Sequence, residues 1–161
     1  MAHTKVEKTN AARLLDRAKV AYELVPYEVD EEHLAATHVA RQLGEDIESV
    51  FKTLVLRGDR TGYFVCVVPG HHEVDLKAAA KVSGNKKVDL IPMKDLLQVT
   101  GYIRGGCSPV GMKKIFPTYV DETAVLFDEI AVSAGQRGVQ LLVNPEALAA
   151  LIEAGYADLT A

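Results

Sequence analysis

Two hairpin signals limit the fold of this chain more than any other feature of its sequence. Residues 52–57 and 63–68 are apolar runs separated by a segment that begins and ends with glycine. Residues 130–133 and 139–143 flank a second glycine-containing connection. A short glycine-containing connection between two apolar runs is typical of an antiparallel hairpin. The sequence therefore predicts sheets built from neighbouring strands, mixed with short helices, which favours an α+β domain over a doubly wound parallel sheet.

Further elements are predicted from capping residues and from apolar residues at regular spacing. Additional strands are expected over residues 22–29, 87–90 and 118–120, with Pro26 indicating an edge or a bulge in the first of them. Five helices are expected. The first is capped by Thr4 and Glu7 and ends near Val20, and a short second helix lies between Thr37 and Gly44, followed by one further turn over residues 46–51. A third helix lies between Asp75 and Gly84, a fourth covers residues 93–99 and is stopped by Gly101, and the last begins at Asn144 and Pro145 with Gly155 past its end. A length of 161 residues fits one domain spanning residues 1–161.

Composition excludes several classes of function. No apolar run approaches the length of a membrane span, and an acidic residue stands near the N-terminus where a signal peptide needs apolar residues, so we expect a cytoplasmic protein without membrane contact. The two cysteines lack the spacing of a zinc site, and no classical nucleotide-binding motif is present, so neither a metal nor a cofactor is expected. A net charge of −4 argues against extensive coating of nucleic acid, although a local basic patch can bind a few phosphates.

Residues 101–114 form the most distinctive loop of the chain. Four of the twelve glycines, one proline and three cations fall within it. Glycine lets a ligand approach bare backbone groups, and Pro109 restricts the loop before anything binds. The composition predicts a rigid, backbone-lined pocket with cations at its edge.

Lys52 begins a predicted strand and shares a face with Leu54 and Leu56. If the leucines are in the core, the lysine lies at its rim, partly desolvated, and would bind a phosphate or a carboxylate. The alternative is an ordinary solvated lysine at the end of a strand.

Three other features each have two interpretations. Cys107 could be a nucleophile served by backbone donors of the loop, or a structural residue of that loop. Lys113 and Lys114 could clamp a phosphate, or form a solvated pair. His71 and His72 suggest a metal, but neighbouring side chains of an extended chain point in opposite directions, which favours a polar loop; His33 and His38 do not change this.

Several motifs occur together in order along nearly the whole chain. They are Phe51-Lys52-Thr53-Leu54, Val74-Asp75-Leu76-Lys77, the loop from Gly101-Tyr102 through Gly105-Gly106-Cys107-Ser108-Pro109-Val110-Gly111-Met112-Lys113-Lys114, and Ser133-Ala134-Gly135-Gln136-Arg137-Gly138. This combination resembles the YbaK/EbsC family of aminoacyl-tRNA deacylases, which is related to the editing domain of bacterial prolyl-tRNA synthetases. The resemblance implies a single domain with a mixed, partly barrel-like sheet surrounded by helices and a pocket for the aminoacyl end of tRNA.

The resemblance also implies an activity. The chain would be a trans-editing enzyme that deacylates mischarged Cys-tRNA(Pro), with Cys-tRNA(Cys) as a second substrate, and the thiol of the substrate would assist the reaction. Its partners would be the acceptor end of the mischarged tRNA and prolyl-tRNA synthetase. An Ala-tRNA(Pro)-type deacylase of the same superfamily and a non-catalytic module that binds tRNA or a synthetase stay open as alternatives.

The family's functional residues can be carried over to matching positions here. Lys52 matches the family's essential lysine, and Tyr27 falls where the family has a functional tyrosine, so both are expected to be catalytic. Gln140 stands where the family has an aspartate, and an amide cannot act as a carboxylate base. Substrate binding is expected from Thr53, Gly105, Gly106, Cys107, Ser108, Pro109 and Gln140, and contact with tRNA from Arg104, Lys113 and Lys114.

Overall fold

A computed structural model of the chain describes residues 7–29, Arg41 and residues 46–161. Thr4 lies outside these residues. So does the helix predicted between Thr37 and Gly44, of which only Arg41 is described. Both predicted hairpins are confirmed. The described strands are β1 (Tyr22–Pro26), β2 (Phe51–Gly58), β3 (Gly62–Pro69), β4 (Val88–Leu90), β5 (Thr118–Asp121), β6 (Ile130–Ser133), β7 (Val139–Val143) and β8 (Gly155–Ala157).

Four α-helices lie among these strands within the described ranges, and three short 3-10 helices accompany them. The α-helices are α1 (Asn10–Arg17), α2 (Leu76–Ser83), α3 (Leu96–Thr100) and α4 (Pro145–Leu151), and the 3-10 helices cover Ile47–Ser49, Met93–Asp95 and Glu122–Leu126. None of the described helices is long and apolar enough to cross a membrane.

The strands form two sheets. The larger sheet has the order β4-β2-β3-β5-β8, in which β2 pairs antiparallel with β3 and β4, and β5 lies parallel to both β3 and β8. The smaller sheet has the antiparallel order β1-β7-β6. A parallel bridge between Val50 and Ala131 connects the two sheets. The result is the expected mixed, partly barrel-like α+β arrangement, open rather than closed into a barrel.

The two faces of β2 and β3 pack into different cores because side chains alternate along a strand. Phe51 and Val55 belong to the main core, which includes residues of β6, β7, α1 and α4. Leu56, with Phe64 and Cys66 from the neighbouring strand, belongs to a second core that α2 covers. Strand β2, which carries Lys52, is therefore packed on both faces.

Asn85 connects the tip of the first hairpin to the end of α2. Its Oδ1 accepts hydrogen bonds from the backbone N–H groups of Arg60 and Thr61 at 2.9 and 3.0 Å. Its Nδ2 donates to the hydroxyl groups of Thr61 and Ser83 at 2.9 and 2.8 Å. Asn85 is 8% exposed and its side chain is fully hydrogen bonded, so it stabilises the tip of the hairpin that carries Lys52.

Several predicted boundaries were wrong at the ends of elements. The cap of α1 is Thr9, whose hydroxyl accepts from the Ala12 N–H at 3.2 Å, and the helix ends at Arg17 instead of near Val20. The first strand ends at Pro26 rather than Val29, and this strand does lie at a sheet edge.

Gly155 does not end the last helix. This helix ends at Leu151, Glu153 adopts a positive φ of 54°, and Gly155 begins β8. A three-residue strand that depends on parallel pairing with β5 leaves no periodic signal in the sequence, which explains why it was missed.

Candidate functional site

A cavity of about 540 Å³ opens between the first strand of the long hairpin and the glycine-rich loop. Its described walls come from the start of β2, the segment around β4 and α3, the glycine-rich loop and the second hairpin. Seven residues that the sequence marked as site residues line this one cavity: Tyr27, Lys52, Thr53, Arg104, Gly105, Cys107 and Gln140.

The remaining predicted site residues lie elsewhere in the structure. Pro109 and Lys114 line a separate cavity of about 250 Å³, and Ser108 is buried with its hydroxyl accepting from the Val110 N–H at 3.2 Å. The Lys113 side chain runs over Gly101, and its Nζ reaches the Gln98 carbonyl at 3.5 Å. The structure thus divides the predicted residues into a group at the large cavity and a group behind the loop.

The glycine-rich loop is held in place by the turn of the second hairpin. The Arg137 Nε donates to the Arg104 carbonyl at 2.8 Å. A Cβ on Gly106 would lie 3.0 Å from the Gln136 Cα, so any larger residue at this crossing would require the backbone of the second hairpin to shift. Gly105, which does line the cavity, has a positive φ of 83°. The two loops therefore form one rigid wall.

Tyr102 closes this loop upon itself. Its hydroxyl donates to the Val110 carbonyl at 2.6 Å, which ties the two ends of the loop together. Burial raises the pKa of Tyr102 to about 12, so the phenol stays a hydrogen-bond donor at neutral pH. This bond maintains the loop shape that the Gly105 wall requires.

Lys52 lies on β2 opposite Val68, on the face that carries Leu54 and Leu56, as predicted. Its side chain is half-buried, and burial lowers the pKa of its ammonium group while the charge of Glu73 partly opposes this. The ammonium forms no hydrogen bond or ion pair with a described residue. A partly desolvated cation at a cavity wall attracts an anionic group of a ligand.

Gln140 and Thr53 each bury a polar atom with no partner. Gln140 is 6% exposed, and neither its Oε1 nor the Thr53 Oγ1 makes a hydrogen bond in the described part of the chain. Gln140 lies on β7 opposite Val25 and Ser133, at the cavity wall. Unpaired buried polar atoms are costly, so two of them at one cavity wall are available to hydrogen bond with a ligand or with water.

Cys107 lines the cavity, but its thiol is not activated as a nucleophile. Burial raises the pKa of its thiol to about 12, and an interaction with Thr100 offsets only part of that effect. A thiol with this pKa is almost entirely protonated at neutral pH, whereas the thiolate is the nucleophile. The structure therefore favours a lining role for Cys107 over a nucleophilic one.

The paired histidines lie outside the cavity wall. Their ring centroids are 4.1 Å apart, so the expectation that they point in opposite directions was wrong. The reason is that β3 ends at Pro69 and the histidines follow in a turn, not in an extended chain. Within residues 7–29, 41 and 46–161 no group of three or more His, Cys, Asp or Glu residues could hold a metal ion, and His33 and His38 fall outside these ranges.

Sequence reasoning did not find the apolar wall of the cavity. Leu90, Ile91, Met93 and Leu96 contribute to it from β4, the 3-10 helix and α3. In the sequence this segment reads only as a short strand followed by a short helix. No pattern in the sequence distinguishes these residues, and only the folded structure shows that Leu90 and Met93 are exposed apolar side chains.

Comparison with known proteins identifies the family to which this chain is similar. The sequence model of the family described as "Aminoacyl-tRNA editing domain" matches residues 30–151. An Enterococcus faecalis protein named "Putative Cys-tRNA(Pro)/Cys-tRNA(Cys) deacylase EbsC" is 50% identical over 161 residues, covering 99% of this chain and 98% of that protein. A proline–tRNA ligase of Fervidobacterium nodosum is 32% identical over 80 residues, which are 50% of this chain and 14% of the ligase.

One solved structure shares the fold over almost its entire length. It is described as "Crystal structure of a putative trans-editing enzyme for prolyl tRNA synthetase", with a TM-score of 0.81 and 24% identity. The match covers 96% of this chain and 99% of that chain. At this identity the likeness establishes the fold.

Proposed function

This chain belongs to the aminoacyl-tRNA editing domain family and is an aminoacyl-tRNA deacylase, and we propose that its substrate is cysteine esterified by mistake to proline tRNA. The relative that is 50% identical along the whole chain carries this proposal, because its name specifies Cys-tRNA(Pro) and Cys-tRNA(Cys). Cys-tRNA(Cys) is the second candidate substrate. Hydrolysis of the ester would release the amino acid and leave the tRNA free for correct charging.

We assign the binding roles from the positions of the side chains around the cavity. Lys52 would attract the phosphate or ribose of the terminal nucleotide, and Tyr27, on the same cavity, would help to position that end. The backbone at Gly105, supported through Gly106, would hold the amino and carbonyl groups of the amino acid. Gln140 and Thr53 would contact the aminoacyl group, which gives a purpose to their unpaired atoms.

The chemistry follows from what this cavity lacks within the described residues. No histidine lines it, and the one thiol on its wall, that of Cys107, has a pKa near 12. We propose that the substrate supplies its own nucleophile. The sulfur of the esterified cysteine attacks its carbonyl carbon, the bond to the ribose oxygen breaks, and the thiol proton passes to that oxygen. The cyclic thioester that this step releases is then opened by water, which breaks the new carbon–sulfur bond and gives free cysteine. An aminoacyl ester is reactive enough that positioning and charge stabilisation can suffice.

We further propose two features of the cellular setting. Selection of the tRNA would come from a prolyl-tRNA synthetase partner, because a cavity that holds only the aminoacyl end contacts too little of a tRNA to distinguish it from others. The matching segment of proline–tRNA ligases agrees with such a partnership. Because tRNA charging takes place in the cytoplasm, we place the protein there.

The test is a panel of charged tRNAs incubated with the purified chain. Cys-tRNA(Pro) should lose its amino acid rapidly, whereas the same tRNA carrying S-methylcysteine, which has no free thiol, should be stable. Rapid loss from both would contradict substrate assistance while leaving the deacylase assignment intact. Faster release from Ala-tRNA(Pro) than from Cys-tRNA(Pro) would support the alanine-type alternative, and no release from any tRNA would support the non-catalytic module.

A further inference from the structure

A second cavity lies next to the one that contains Lys52. Its volume is about 440 Å³, which is within the range of sites for small ligands. Leu90 and Ile91 line both cavities, so they form a shared wall. None of the residues expected to act on the substrate lines the second cavity, which therefore stands outside the site proposed for deacylation.

Charged side chains of both signs line this cavity, and we call it the mixed-charge cavity. Its charged residues are the cations Arg57 and Lys87 and the carboxylates Asp59, Asp89 and Asp95. In the part of the chain that the structure describes, no ion pair joins any of these groups. Charges of both signs are therefore available to a ligand.

The backbone around the mixed-charge cavity is fixed by hydrogen bonds. The Asp59 Oδ1 accepts from the N–H groups of Lys86 and Lys87 at 3.0 and 3.1 Å, and the Asp59 N–H donates to the Lys87 carbonyl at 3.0 Å. On the shared wall, the Ile91 N–H donates to the Val55 carbonyl at 3.1 Å. Asp59 thus belongs to the frame of the cavity, and a fixed frame lowers the ordering cost of binding a ligand.

Arg57 and Asp95 present opposite charges from different elements. The Arg57 guanidinium lies over the Tyr63 ring, 5.9 Å from its centroid, and Asp89 lies opposite Arg57 in the pairing of β2 with β4. Asp95 stands at the junction of the 3-10 helix and α3, and its half-buried carboxylate makes no capping hydrogen bond. An isolated cation and an isolated carboxylate are therefore held in one cavity.

The balance of charge narrows the class of ligand. Two cations against three carboxylates make the lining slightly acidic, which disfavours a phosphate or another simple anion. The described residues form no cluster of His, Cys, Asp or Glu that could hold a metal ion. A small ligand that carries one charge of each sign satisfies both Arg57 and Asp95.

We propose that the mixed-charge cavity binds a free α-amino acid as its zwitterion. Arg57 would bind the carboxylate, since a planar guanidinium can donate two parallel hydrogen bonds to it, and Asp95 would accept from the ammonium group. An uncharged side chain would cover Leu90, which is 50% exposed, on the shared wall. Deacylation releases a free amino acid, so the cavity would bind the product class of the reaction beside the place where it forms.

Titration of isotope-labelled protein with small molecules tests the proposal by nuclear magnetic resonance at neutral pH. The probes are L-valine, N-acetyl-L-valine, which has no ammonium group, and L-valinamide, which has no carboxylate. Valine should shift the backbone amide signals of Gly58 and Ile91 and bind at least about tenfold more tightly than either derivative, because each derivative loses one charge-assisted contact. The titration contains no tRNA, so its outcome is independent of the proposed function.

Two variants assign the charges to their partners. Arg57→Gln should bind valine at least about tenfold more weakly and lose most of the preference for valine over valinamide, yet still prefer valine to N-acetylvaline. Asp95→Asn should show the reverse pattern. An exchange of this kind cannot come from a general loss of folding.

Lys94→Gln and Asp128→Asn are the matched controls. Each removes the same charge as one of the two variants from an exposed residue that does not line the cavity. Both should bind the three probes as the wild-type protein does.

Four results would overturn the proposal. They are no saturable shift with valine, equal affinity for the three probes, preferences that survive in both Arg57→Gln and Asp95→Asn, and shifts confined to amides around Gln140. The last result would show that the amino acid binds in the deacylation cavity instead.

Discussion

Replacing Gln140 with methionine should make the protein more stable and less active. Gln140 is 6% exposed and its Oε1 has no hydrogen-bond partner among the described residues. An unsatisfied buried acceptor costs about 1–3 kcal/mol, and methionine keeps a similar length and volume without that cost. We expect the free energy of unfolding to rise by about 1 kcal/mol, which for a domain of this size raises the Tm by about 2–4 °C.

The activity should change in the opposite direction. If the Gln140 amide contacts the aminoacyl group, its loss should lower kcat/KM for Cys-tRNA(Pro) by about tenfold to a hundredfold, the usual range for one or two lost polar contacts. Gln98→Met on α3 is the matched control, because Gln98 is exposed and should tolerate the change within about 0.5 kcal/mol.

Urea unfolding and single-turnover deacylation measure the two effects of Gln140→Met separately. A variant destabilised by more than about 1 kcal/mol would refute the idea that the buried oxygen is unsatisfied. A variant with wild-type kcat/KM would refute the idea that this oxygen is maintained for the substrate.

Two further substitutions test residues on either side of the site. Cys107→Ser should retain deacylation within about threefold, because a thiol with a pKa near 12 is not the nucleophile, and an inactive but folded variant would restore the nucleophilic interpretation. Asn85→Ala should lower the free energy of unfolding by about 2 kcal/mol, because it removes the acceptor for the Arg60 and Thr61 N–H groups. The kcat/KM of the folded protein should stay unchanged. Equal stability of variant and wild-type protein in a urea titration would show that water replaces those hydrogen bonds.

Local signals in the sequence were sufficient for the hairpins and for several helix ends, among them the Asn144 cap of α4 and the stop of α3 at Gly101. Both glycine-containing connections lie where they were predicted, and α2 runs from its Asp75 cap to Gly84 in the left-handed conformation. The period of two along β2 correctly placed Lys52 on the face of Leu54 and Leu56. These predictions depend only on residues within one element, which is the range over which a single sequence is informative.

Features that depend on tertiary packing were not predictable in the same way. Strand β8 exists only because it pairs with β5, and the apolar wall around Met93 is formed by segments that look unremarkable alone. The glycine-rich loop was predicted as one pocket, yet Pro109 and Lys114 line a different cavity from Gly105. A loop has two sides, and its composition does not say which residues face which side.

Single-turnover deacylation of Cys-tRNA(Pro) by the wild-type protein and by Lys52→Ala tests the central claim most directly. Lys52 is half-buried at the cavity wall without an ion pair among the described residues, so alanine there should leave the fold intact, which circular dichroism and the Tm can verify. We predict rapid release of cysteine by the wild-type protein and a loss of at least about a hundredfold in Lys52→Ala. Wild-type turnover in a folded Lys52→Ala variant would contradict the assignment of this cavity as the site of deacylation.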